Sequence, residues 1–507
     1  MTIFIFPGSR QVEDVPFTGV PAIHPSLNKD SGILDFFFSM FPLSSVEQLT
    51  VETNRFANQV MRNDPLKLRK WKDVTVTCMR AFLGIVILMG LVRKSNLKDY
   101  WTCDAVIDTP YIRKVMSRDR FFEIMRYLHF NDNEKALPSN DPNRDKLFKI
   151  RPMYDVIRAN FAKMCTPSRD VAIDEASIPW KGNLSFKVFN PLKPHKHHVK
   201  AYEMCDSKTG YCHYIEIYSG KVPASSKGST YDLIFRIMDP HLDLGHRLFL
   251  DNFYTSPQLV QDLFQRKTGV CGTLRTNRKG TPQEIKSVKL DKGEWKAMHL
   301  KDGGIQLIKW KDKRDVNVIS SIHNADFVEC PVKGDPGKTK LKPKAVIDYN
   351  KGMGAVDLSD QLATYEAFIH AFLKWYKKVG FHLINLCIVN AYILYKRLNE
   401  KPKSHSKFRR TLAKELCEPH IRENATRHVQ GPFLETARLY ERHFPSEIPM
   451  KRRRNCIVCS QVKPRKTSIE CKAQGCNVAL CITPCFEIYH TKSDYRRAYR
   501  EKMARPE

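Results

Sequence analysis

One stretch constrains the fold more than any other: residues 247–257 (RLFLDNFYTSP) join an apolar run to a helix start across one aspartate. The apolar run 248–250 is short and uninterrupted, which is typical of a strand buried on both faces. Ser256 and Pro257 have the character of an N-cap and a first helical residue. Asp251 is therefore predicted at the C-terminal end of a buried strand, where open α/β sheets place their reactive groups. An aspartate that merely begins a turn is the alternative interpretation.

The length and charge of the chain limit the class of protein. At 507 residues it exceeds one ordinary domain, and we expect roughly two to four. Its 84 lysines and arginines against 54 acidic residues leave a net charge of +30, which indicates a polyanionic partner, with nucleic acid ahead of a membrane surface. The longest apolar run, 82–92, is too short to span a bilayer, so no membrane partner is expected. Most of the 15 cysteines are scattered, as in a reduced intracellular protein.

The order of the predicted elements indicates an α/β multidomain protein. The pattern is helical from about 32 to 168 and then changes to a period of two, with Asp174 on the strand 170–178. Hairpin strands follow, then a helix at 231–238, the strand before Asp251, its helix and another buried strand. This order is the plan of a ribonuclease-H-like catalytic core, a likeness of fold that does not by itself establish function.

A looser, basic region separates this core from a third acidic motif. Residues 278–344 contain short antiparallel strands between glycine and proline breaks, which we interpret as an insertion domain. After it, a glycine loop leads into a helix that starts near Val356. Asp357 and Asp360 are three residues apart and therefore share one helical face. The alternative interpretation is that both acids compensate the helix dipole in the first turn.

Three separated acidic motifs on such a core predict a site for two Mg²⁺ ions. Phosphoryl transfer needs an activated nucleophile and a stabilised leaving oxygen, and two metal ions about 3.5–4 Å apart serve both. Carboxylates are the hard ligands that Mg²⁺ prefers. We predict Asp174, Asp251 and Asp357 as the ligands, with Asp360 as a fourth ligand or a supporting acid. The site should depend on divalent ions, because the clustered charges repel one another without them.

A basic segment after the first acidic strand is a candidate for binding DNA phosphates. Lys193, Lys196, His198 and Lys200 lie there in a proline-interrupted run, next to the predicted site. A metal site built from its histidines is less favoured, because neighbours on an extended run point to opposite faces. Arg275 is a weaker candidate for DNA contact, with a solvated basic loop as the alternative.

The C-terminal cysteines are the strongest local signal. Paired soft ligands with short spacers in a reduced compartment indicate zinc, and seven ligands are too many for one tetrahedral ion. We therefore predict two structural Zn²⁺ ions in a small cross-braced domain that unfolds without metal. One ion is assigned to Cys456, Cys459, Cys481 and Cys485, and the other to Cys471, Cys476 and His490, with His443 as the candidate eighth ligand.

The residues just before this zinc domain are basic. Lys451, Arg452 and Arg453 suit contact with phosphates or nuclear import, so we expect a nuclear protein. Cross-braced zinc domains also bind protein partners such as histones. The flanking arginines favour DNA.

Several motifs together resemble those of piggyBac-family DNA transposases. The acidic motifs are AIDE at 172–175, FLDNFYTS at 249–256 and GAVDLSDQ at 354–361, and they occur in the order of that family. The basic segment and the cysteine tail also resemble it, so the likeness covers about 32–495. It implies that the three predicted Mg²⁺ ligands form the family's metal-binding triad, with the nearby acid of the third motif beside them.

The resemblance also implies a domain plan. A mostly helical dimerisation and DNA-binding domain would be split around the ribonuclease-H-like core, with the zinc domain at the C-terminal side. The expected boundaries are 1–31 for a short N-terminal loop, 32–168 and 367–445 for the helical domain, 169–277 and 345–366 for the core, 278–344 for the insertion, 446–495 for the zinc domain and 496–507 for a basic tail.

The activity that the resemblance implies is cut-and-paste transposition. It comprises metal-dependent strand cleavage at the ends of the element, hairpin formation and strand transfer into TTAA target sites. The zinc domain would recognise the terminal repeats of double-stranded DNA, and two element ends imply at least a homodimer. The alternative is a host-adapted, catalytically silent nuclear DNA-binding protein.

Overall fold

A mixed β-sheet forms the centre of the larger of the two units into which the chain divides. The computed structural model describes residues 4–5, 12–62, 71–138, 140–221, 223–300, 304–332, 335–368, 372–427, 443–449, 452–462, 464–473 and 476–504. The larger unit comprises Met1–Asp99 and Arg118–Cys417, and the smaller one comprises Tyr100–Ser117 and Glu418–Glu507. The acidic motifs therefore fall in the larger unit and the cysteine motifs in the smaller one.

Ten described strands make up the sheet of the larger unit. They are, in chain order, β1 (Phe4–Ile5), β2 (Asp170–Pro179), β3 (Val188–Phe189), β4 (His197–Asp206), β5 (Cys212–Ile217), β6 (Arg247–Leu250), β7 (Gly269–Thr273), β8 (Trp295–Leu300), β9 (Gln306–Lys311) and β10 (Asp315–Ser320). Their order across the sheet is β1-β8-β9-β10-β7-β6-β2-β4-β3, and β5 also pairs with β4. The strands β2, β6 and β7 are parallel neighbours. The predicted strands around Asp174 and before Asp251 are confirmed.

Three strands of the region interpreted as an insertion extend this same sheet. The strand β10 pairs antiparallel with β7, with Val318 opposite Thr273, and β9 and β8 follow outward. A separate hairpin is formed by β11 (Phe327–Val332) and β12 (Asp335–Pro343). The short antiparallel strands expected here are present, and most of them continue the central sheet. The boundary of an insertion domain at 278 stays a prediction.

Helices cover both faces of the sheet. The helices of the described residues are α1 (Ile33–Met40), α2 (Leu43–Arg62), α3 (Val76–Leu91), α4 (Pro110–Val115), α5 (Arg118–Tyr127), α6 (Arg151–Met164), α7 (Ser229–Met238), α8 (Pro257–Gln265), α9 (Gln283–Ser287), α10 (Lys344–Gly352), α11 (Ala355–Tyr365), α12 (Trp375–Leu398), α13 (His405–Arg427), α14 (Glu487–Thr491) and α15 (Tyr495–Ala504). Leu233 of α7 and Leu259 of α8 share one apolar cluster with Ile173 and Leu250 of the sheet. On the other face α11 packs against β2 and β4, and α6 packs against β5.

Side chains cap the starts of two helices, and one of these starts, at Ser256 and Pro257, was predicted from the sequence. Helix α3 begins after Thr75, whose side chain accepts a hydrogen bond from the backbone N–H of Cys78 at 3.1 Å. Helix α8 begins after Ser256, which caps the N–H of Leu259 at 3.3 Å, and Pro257 is its first residue. Each cap satisfies a backbone donor that has no partner inside the helix. The cap of α8 directs the chain away from the sheet immediately after Asp251.

One described helix, α12, is long and apolar enough to cross a membrane. Its apolar window is 83% buried inside the fold, as in the core helix of a protein of this size. Two buried amides on α12 are hydrogen-bonded to neighbouring elements: Asn385 to Arg409 of α13, and Asn390 to Cys212 of β5. The helix therefore packs as a central element of the larger unit.

Side chains from two helices pair with the outer edge of β5. The Asn390 amide accepts from the Cys212 N–H at 3.0 Å and donates to the Cys212 carbonyl at 2.8 Å. The Tyr154 hydroxyl of α6 donates to the Ile215 carbonyl at 3.1 Å and accepts from the Ile217 N–H at 3.0 Å. These contacts satisfy backbone groups that a further strand would otherwise bind.

The smaller unit contains short strands around a core of cysteines. Its strands are β13 (Pro445–Glu447), β14 (Arg454–Asn455), β15 (Lys466–Thr467), β16 (Ile469–Cys471) and β17 (Val478–Ala479). They form the sheets β13-β16-β17 and β14-β15. The buried cluster consists of the cysteines together with a few apolar side chains, among them Leu480, Tyr495 and Tyr499. Such a small apolar core contributes little stability by itself, so further bonds that link the chain segments of this unit are required.

Candidate active site and metal-binding clusters

Two of the predicted catalytic aspartates follow paired positions on neighbouring parallel strands. Ile173 of β2 pairs in register with Leu250 of β6, so Asp174 and Asp251 occupy the next position along each strand. Neighbouring strands are about 4.8 Å apart, which brings Asp174, in the middle of β2, next to Asp251, directly after β6. The structure thus brings together two acids that are 77 residues apart in the chain.

The loop after β6 holds Asp251 by hydrogen bonds. Its carboxylate accepts from the backbone N–H of Phe253 at 2.8 Å and of Tyr254 at 3.3 Å. The Thr255 hydroxyl donates to the Asp251 carbonyl at 2.7 Å. Asp251 therefore begins a turn, as the alternative interpretation proposed, and also lies at the end of a buried strand. The two interpretations are compatible.

Burial and mutual repulsion oppose the charged forms of this pair. Burial raises the pKa of Asp174 to about 7, and the charge of Asp251 adds to that rise. Burial likewise raises the pKa of Asp251 above its ordinary value. A divalent cation would compensate both the desolvation and the repulsion. The pair therefore fits a hard metal ion with oxygen ligands.

Helix α11 brings Asp360 against β2 and leaves Asp357 exposed in its first turn. Burial raises the pKa of Asp360 to about 6, and a hydrogen bond from the Ser177 N–H offsets part of the rise. Within the described residues, Oδ1 of Asp360 has no hydrogen-bond partner. An unpartnered carboxylate oxygen beside β2 is available to a cation, which fits the prediction of Asp360 as a fourth ligand or a supporting acid.

The predicted Mg²⁺ ligands do not have their carboxylate oxygens close enough together to form a compact metal-binding cluster. In the described part of the chain, three groups have all their potential ligand atoms within 4.8 Å of one another. Two are cysteine and histidine clusters of the smaller unit, and the third consists of Glu203, Cys205 and Cys212. The three predicted Mg²⁺ ligands are not among these groups.

Glu203 is a buried acid beside the site that sequence reasoning missed. It lies on β4 directly opposite Asp174, so both side chains point to the same face of the sheet. It is fully buried, and burial raises its pKa to about 8, with the charge of Asp360 as the next cause. A glutamate within the apolar strand 197–206 was the available signal, because buried acids are rare unless they are paired or functional.

Two of the predicted DNA contacts are engaged inside the fold. The Lys200 ammonium lies 3.2 Å from Glu175 and over the ring of Tyr202 at 4.7 Å. His198 is 2% exposed and its Nδ1 lies 3.2 Å from the His195 carbonyl. Pairing in β4 turns both side chains inward, which the density of basic residues in the sequence did not reveal. Their assignment to DNA phosphates is therefore not supported by their positions.

The other predicted DNA contacts remain accessible where they are described. The charge of Lys193 acts on both Asp174 and Asp360, so its ammonium lies near the acids. Lys196 is exposed, and Arg275 is exposed with its Nε donating to Asn252 at 2.8 Å. In the smaller unit Arg452 and Arg453 are exposed, whereas Lys451 lies outside the described residues.

The smaller unit contains a cluster of four cysteines that could hold a metal ion. Its members are Cys456, Cys459, Cys481 and Cys485. The Sγ atoms of Cys459 and Cys481 are 4.0 Å apart, and the Cys481 N–H donates to the Cys456 sulfur at 3.3 Å. Four sulfur atoms so close together, in addition to an amide that donates to one of them, fit tetrahedral zinc.

A second cluster combines two histidines with two cysteines. The His443 Nδ1 lies 3.3 Å from the Cys471 sulfur and 3.4 Å from the Cys476 sulfur. The Cys476 sulfur also lies 3.7 Å from Nε2 of His490, whose Nδ1 donates to the Phe486 carbonyl at 2.8 Å. That bond orients the ring and leaves Nε2 as the ligand atom. The structure thus groups the eight side chains into the same two sets of four that the sequence suggested, with His443 in the eighth position.

Comparisons with known proteins match most of the chain. A family model described as Transposase IS4 matches residues 34–392. The human PiggyBac transposable element-derived protein 3 is 27% identical over 83% of this chain and 71% of its own length. The human PiggyBac transposable element-derived protein 2 is 25% identical over 72% of this chain and 61% of its own length.

A solved structure shares the fold. It is the cryo-EM structure of a piggyBac transposase synaptic complex with hairpin DNA, with a TM-score of 0.75 and 22% sequence identity. The match covers 92% of this chain and 100% of the solved one. The chain belongs to the transposase IS4 family, and its relatives place it with the piggyBac-family transposases.

Proposed function

We propose that this chain is a cut-and-paste DNA transposase whose acidic site carries out phosphoryl transfer. The observation that carries the proposal is the placement of Asp174, within β2, next to Asp251, directly after the parallel strand β6, with Asp360 of α11 packed against the same strand β2. The strand order β5-β4-β2-β6-β7 supports a ribonuclease-H-like core, with the remaining strands added at its edge. Acids at the ends of central strands are the arrangement that such a core would use for chemistry.

The metal ions of this site are part of the proposal. Asp174, Asp251 and Asp357 would hold two Mg²⁺, with Asp360 as a fourth acid beside them. The bound ions would supply neutralisation of phosphate charge and a more acidic nucleophile. Two backbone N–H groups of the chain donate to the Asp251 carboxylate, and the fold buries Asp174 away from water.

The proposed reaction has four steps, two hydrolyses and two strand transfers. Water first attacks a phosphodiester at the end of the element and releases a 3′ hydroxyl. That hydroxyl attacks the opposite strand and forms a hairpin, which frees the element from the flanking DNA. After the hairpin is opened, the 3′ ends attack a TTAA target. Water breaks a phosphodiester bond at the first cut and again when the hairpin is opened, and each time it leaves a 3′ hydroxyl and a 5′ phosphate. Each strand transfer breaks one phosphodiester bond and forms another, so no oxidant or nucleotide cofactor is needed.

The partners and location are also proposals. The zinc domain, with Arg452 and Arg453 exposed beside it, would bind the terminal repeats of the element. A homodimer would hold two element ends, and the protein would act in the nucleus. The helical domain at 32–168 and 367–445 would support dimerisation. The excess of basic residues over the whole chain supports a DNA partner and does not identify its sequence.

A catalytically silent DNA-binding protein is the second candidate. The human relatives carry the name of transposable element-derived proteins, which makes a host-adapted role a specific alternative. The two candidates share DNA binding and differ in strand cleavage. An assay of excision therefore separates them.

The deciding experiment measures excision and rejoining of a marker flanked by the DNA that borders this gene. Wild type is compared with Asp251→Asn, which keeps the size of the side chain and removes a charge from the site. The matched control is Asp243→Asn on a surface turn, where Asp243 pairs with Arg266 at 2.7 Å. Asparagine is also tolerated at the positive φ of 64° found there.

Excision by wild type and by Asp243→Asn, but not by Asp251→Asn, is the expected result. Repair that restores a single TTAA would support the proposed target. Zinc-dependent binding to the element ends without excision by any variant would favour the silent DNA-binding protein. Equal excision by wild type and Asp251→Asn would show that this aspartate is not part of the catalytic site.

A further inference from the structure

A cleft of about 660 Å³ opens at the C-terminal end of β2. Its walls are the turn 179–182 after β2, the segment 194–197 before β4, and residues near the start of α12, including Phe372 and Lys378. We call it the Trp180 cleft. The metal-site proposal uses none of the side chains that line it. Its volume falls in the range of cavities that bind small organic ligands.

Trp180 forms a rigid aromatic wall of this cleft. It is 8% exposed, and its backbone N–H donates to the His197 carbonyl at 3.1 Å. Gly182 packs against the indole so closely that an added β-carbon would lie 2.5 Å from Cζ2. In the described part of the structure, the indole Nε1 has no hydrogen-bond partner although it is buried. A buried donor without a partner is costly unless a ligand or water satisfies it.

The charge of the cleft favours an anion. Lys181, Lys196 and Lys378 line it together with two histidines, and none of the described residues that line it is acidic. Burial lowers the pKa of Lys378, so that ammonium would gain from a compensating negative charge. Aromatic walls with lysines at the rim suit a ligand that has both a planar ring and a phosphate.

The position of the cleft relates it to the acidic site. Trp180 follows Asp174 by six residues at the end of the same strand, which is about 20 Å along an extended chain. A nucleic-acid strand rises about 3.4 Å per nucleotide, so this distance corresponds to roughly six nucleotides. Leu192 lies in the turn beside the cleft and is 92% exposed. An exposed apolar side chain of this kind can wedge between base steps and unstack them.

We propose that the Trp180 cleft receives one unpaired nucleotide of the DNA substrate, several nucleotides from the position of strand cleavage. The base stacks on Trp180, and the lysines bind its flanking phosphates. Leu192 fills the gap that the extruded base leaves in the duplex. The inference rests on the proposed DNA substrate. It adds the requirement that one nucleotide of that DNA is unpaired.

The test compares two DNA duplexes of the same sequence from the borders of the gene. One is fully paired, and the other carries a single unpaired base that is moved through successive positions. Affinity is measured by fluorescence anisotropy with the full-length, zinc-loaded chain carrying Asp251→Asn, so that cleavage does not interfere. Free thymidine monophosphate is added in a separate arm to distinguish a nucleotide within DNA from a free one.

The expected result is tighter binding of the duplex with an unpaired base at one position, by about 5- to 100-fold. Trp180→Ala should abolish that preference and keep the affinity for paired DNA. Trp180→Phe should keep most of it, because the ring remains. Trp295→Ala removes a 44% exposed tryptophan on β8 and should change nothing.

A second variant guards against misfolding of Trp180→Ala. Lys378→Met keeps the buried stem and removes the charge, and it should reduce the preference without altering the thermal midpoint. Binding of both duplexes with equal affinity by wild type would overturn the inference and leave the transposase proposal standing. Binding of neither duplex would overturn both. Saturation by free thymidine monophosphate at the same concentration as DNA would show a nucleotide pocket unrelated to the duplex.

Discussion

Replacing Gly352 with alanine should slow strand cleavage, although this residue carries no functional group. Gly352 ends α10 and is buried against Phe249 of β6, two residues before Asp251. Three residues later α11 begins, which carries Asp357 and Asp360. Gly352 therefore connects two parts of the site. It contacts the strand that leads into Asp251, and it belongs to the α10–α11 junction that positions Asp357 and Asp360.

The size of the effect follows from the contact distance. A β-carbon at Gly352 would lie 2.5 Å from two ring carbons of Phe249. Carbon atoms in contact are separated by at least about 3.5 Å, so ring and junction must move apart by about 1 Å. Phe249 is 3% exposed, so its ring cannot move out into solvent without leaving the core. Overpacking of this kind costs about 1–3 kcal/mol of stability, and a misplacement of about 1 Å can cost about 100-fold in rate.

The assay measures strand cleavage of a labelled element end and the thermal midpoint of the same samples. The matched control is Gly354→Ala in the same loop, where an added β-carbon would meet no atom within 4 Å and the φ of −72° suits alanine. Adding Phe249→Leu to Gly352→Ala should restore part of the rate, because the smaller side chain yields space. Wild-type cleavage and an unchanged midpoint for Gly352→Ala would refute the reasoning.

Three further outcomes are expected. A strong chelator should release two Zn²⁺ per chain and make residues 443–504 sensitive to protease. Cys485→Ser should lower the zinc content measured by metal analysis, and a wild-type zinc content of zero would contradict the prediction. The folded-state pKa of Asp174 is about 7 against an ordinary 3.8, so the folded protein binds this proton more tightly than the unfolded chain does. The stability that the protonated Asp174 contributes is therefore present below about pH 4 and is lost as the pH rises to about 7. Asp174→Asn should therefore raise the thermal midpoint at pH 8 without added Mg²⁺, and less so at pH 5; an equal shift at both values would count against it. Lys200→Met should lower stability by about 1–3 kcal/mol through loss of the Glu175 pair and the ring contacts, yet leave the salt dependence of DNA binding unchanged; a shallower salt slope would restore Lys200 as a phosphate contact.

The parts of the site that follow from short-range pattern were predictable. An apolar run ending in Asp251 and a proline-capped helix define a strand end within a few residues, and paired cysteines with short spacers restrict which sulfur atoms can meet. Glu203 and the inward orientation of Lys200 were not predictable in the same way. Both depend on the pairing of β4 with β2, which joins residues far apart in sequence and determines which face each side chain occupies.

The extent of the sheet was also beyond the sequence. The strands around Trp310 are visible as alternating residues, but their attachment to β7 depends on pairing Val318 with Thr273. Nothing in the local pattern distinguishes a strand that extends the core from one in a separate domain. The helix α10 was missed for a related reason, because residues 344–352 have weak periodicity and their helix depends on packing against the sheet.

The side chains that bind the outer edge of β5 have a consequence for how copies of this protein can assemble. An open strand edge recruits another strand, from a second molecule or a partly unfolded one, and so promotes aggregation. Here Asn390 and Tyr154 already occupy backbone donors and acceptors of that edge. If several copies assemble on one DNA, as proposed above, they are thereby protected from joining by sheet extension at β5. Asn390→Ala should expose this hazard first as concentration-dependent light scattering, before any loss of DNA affinity.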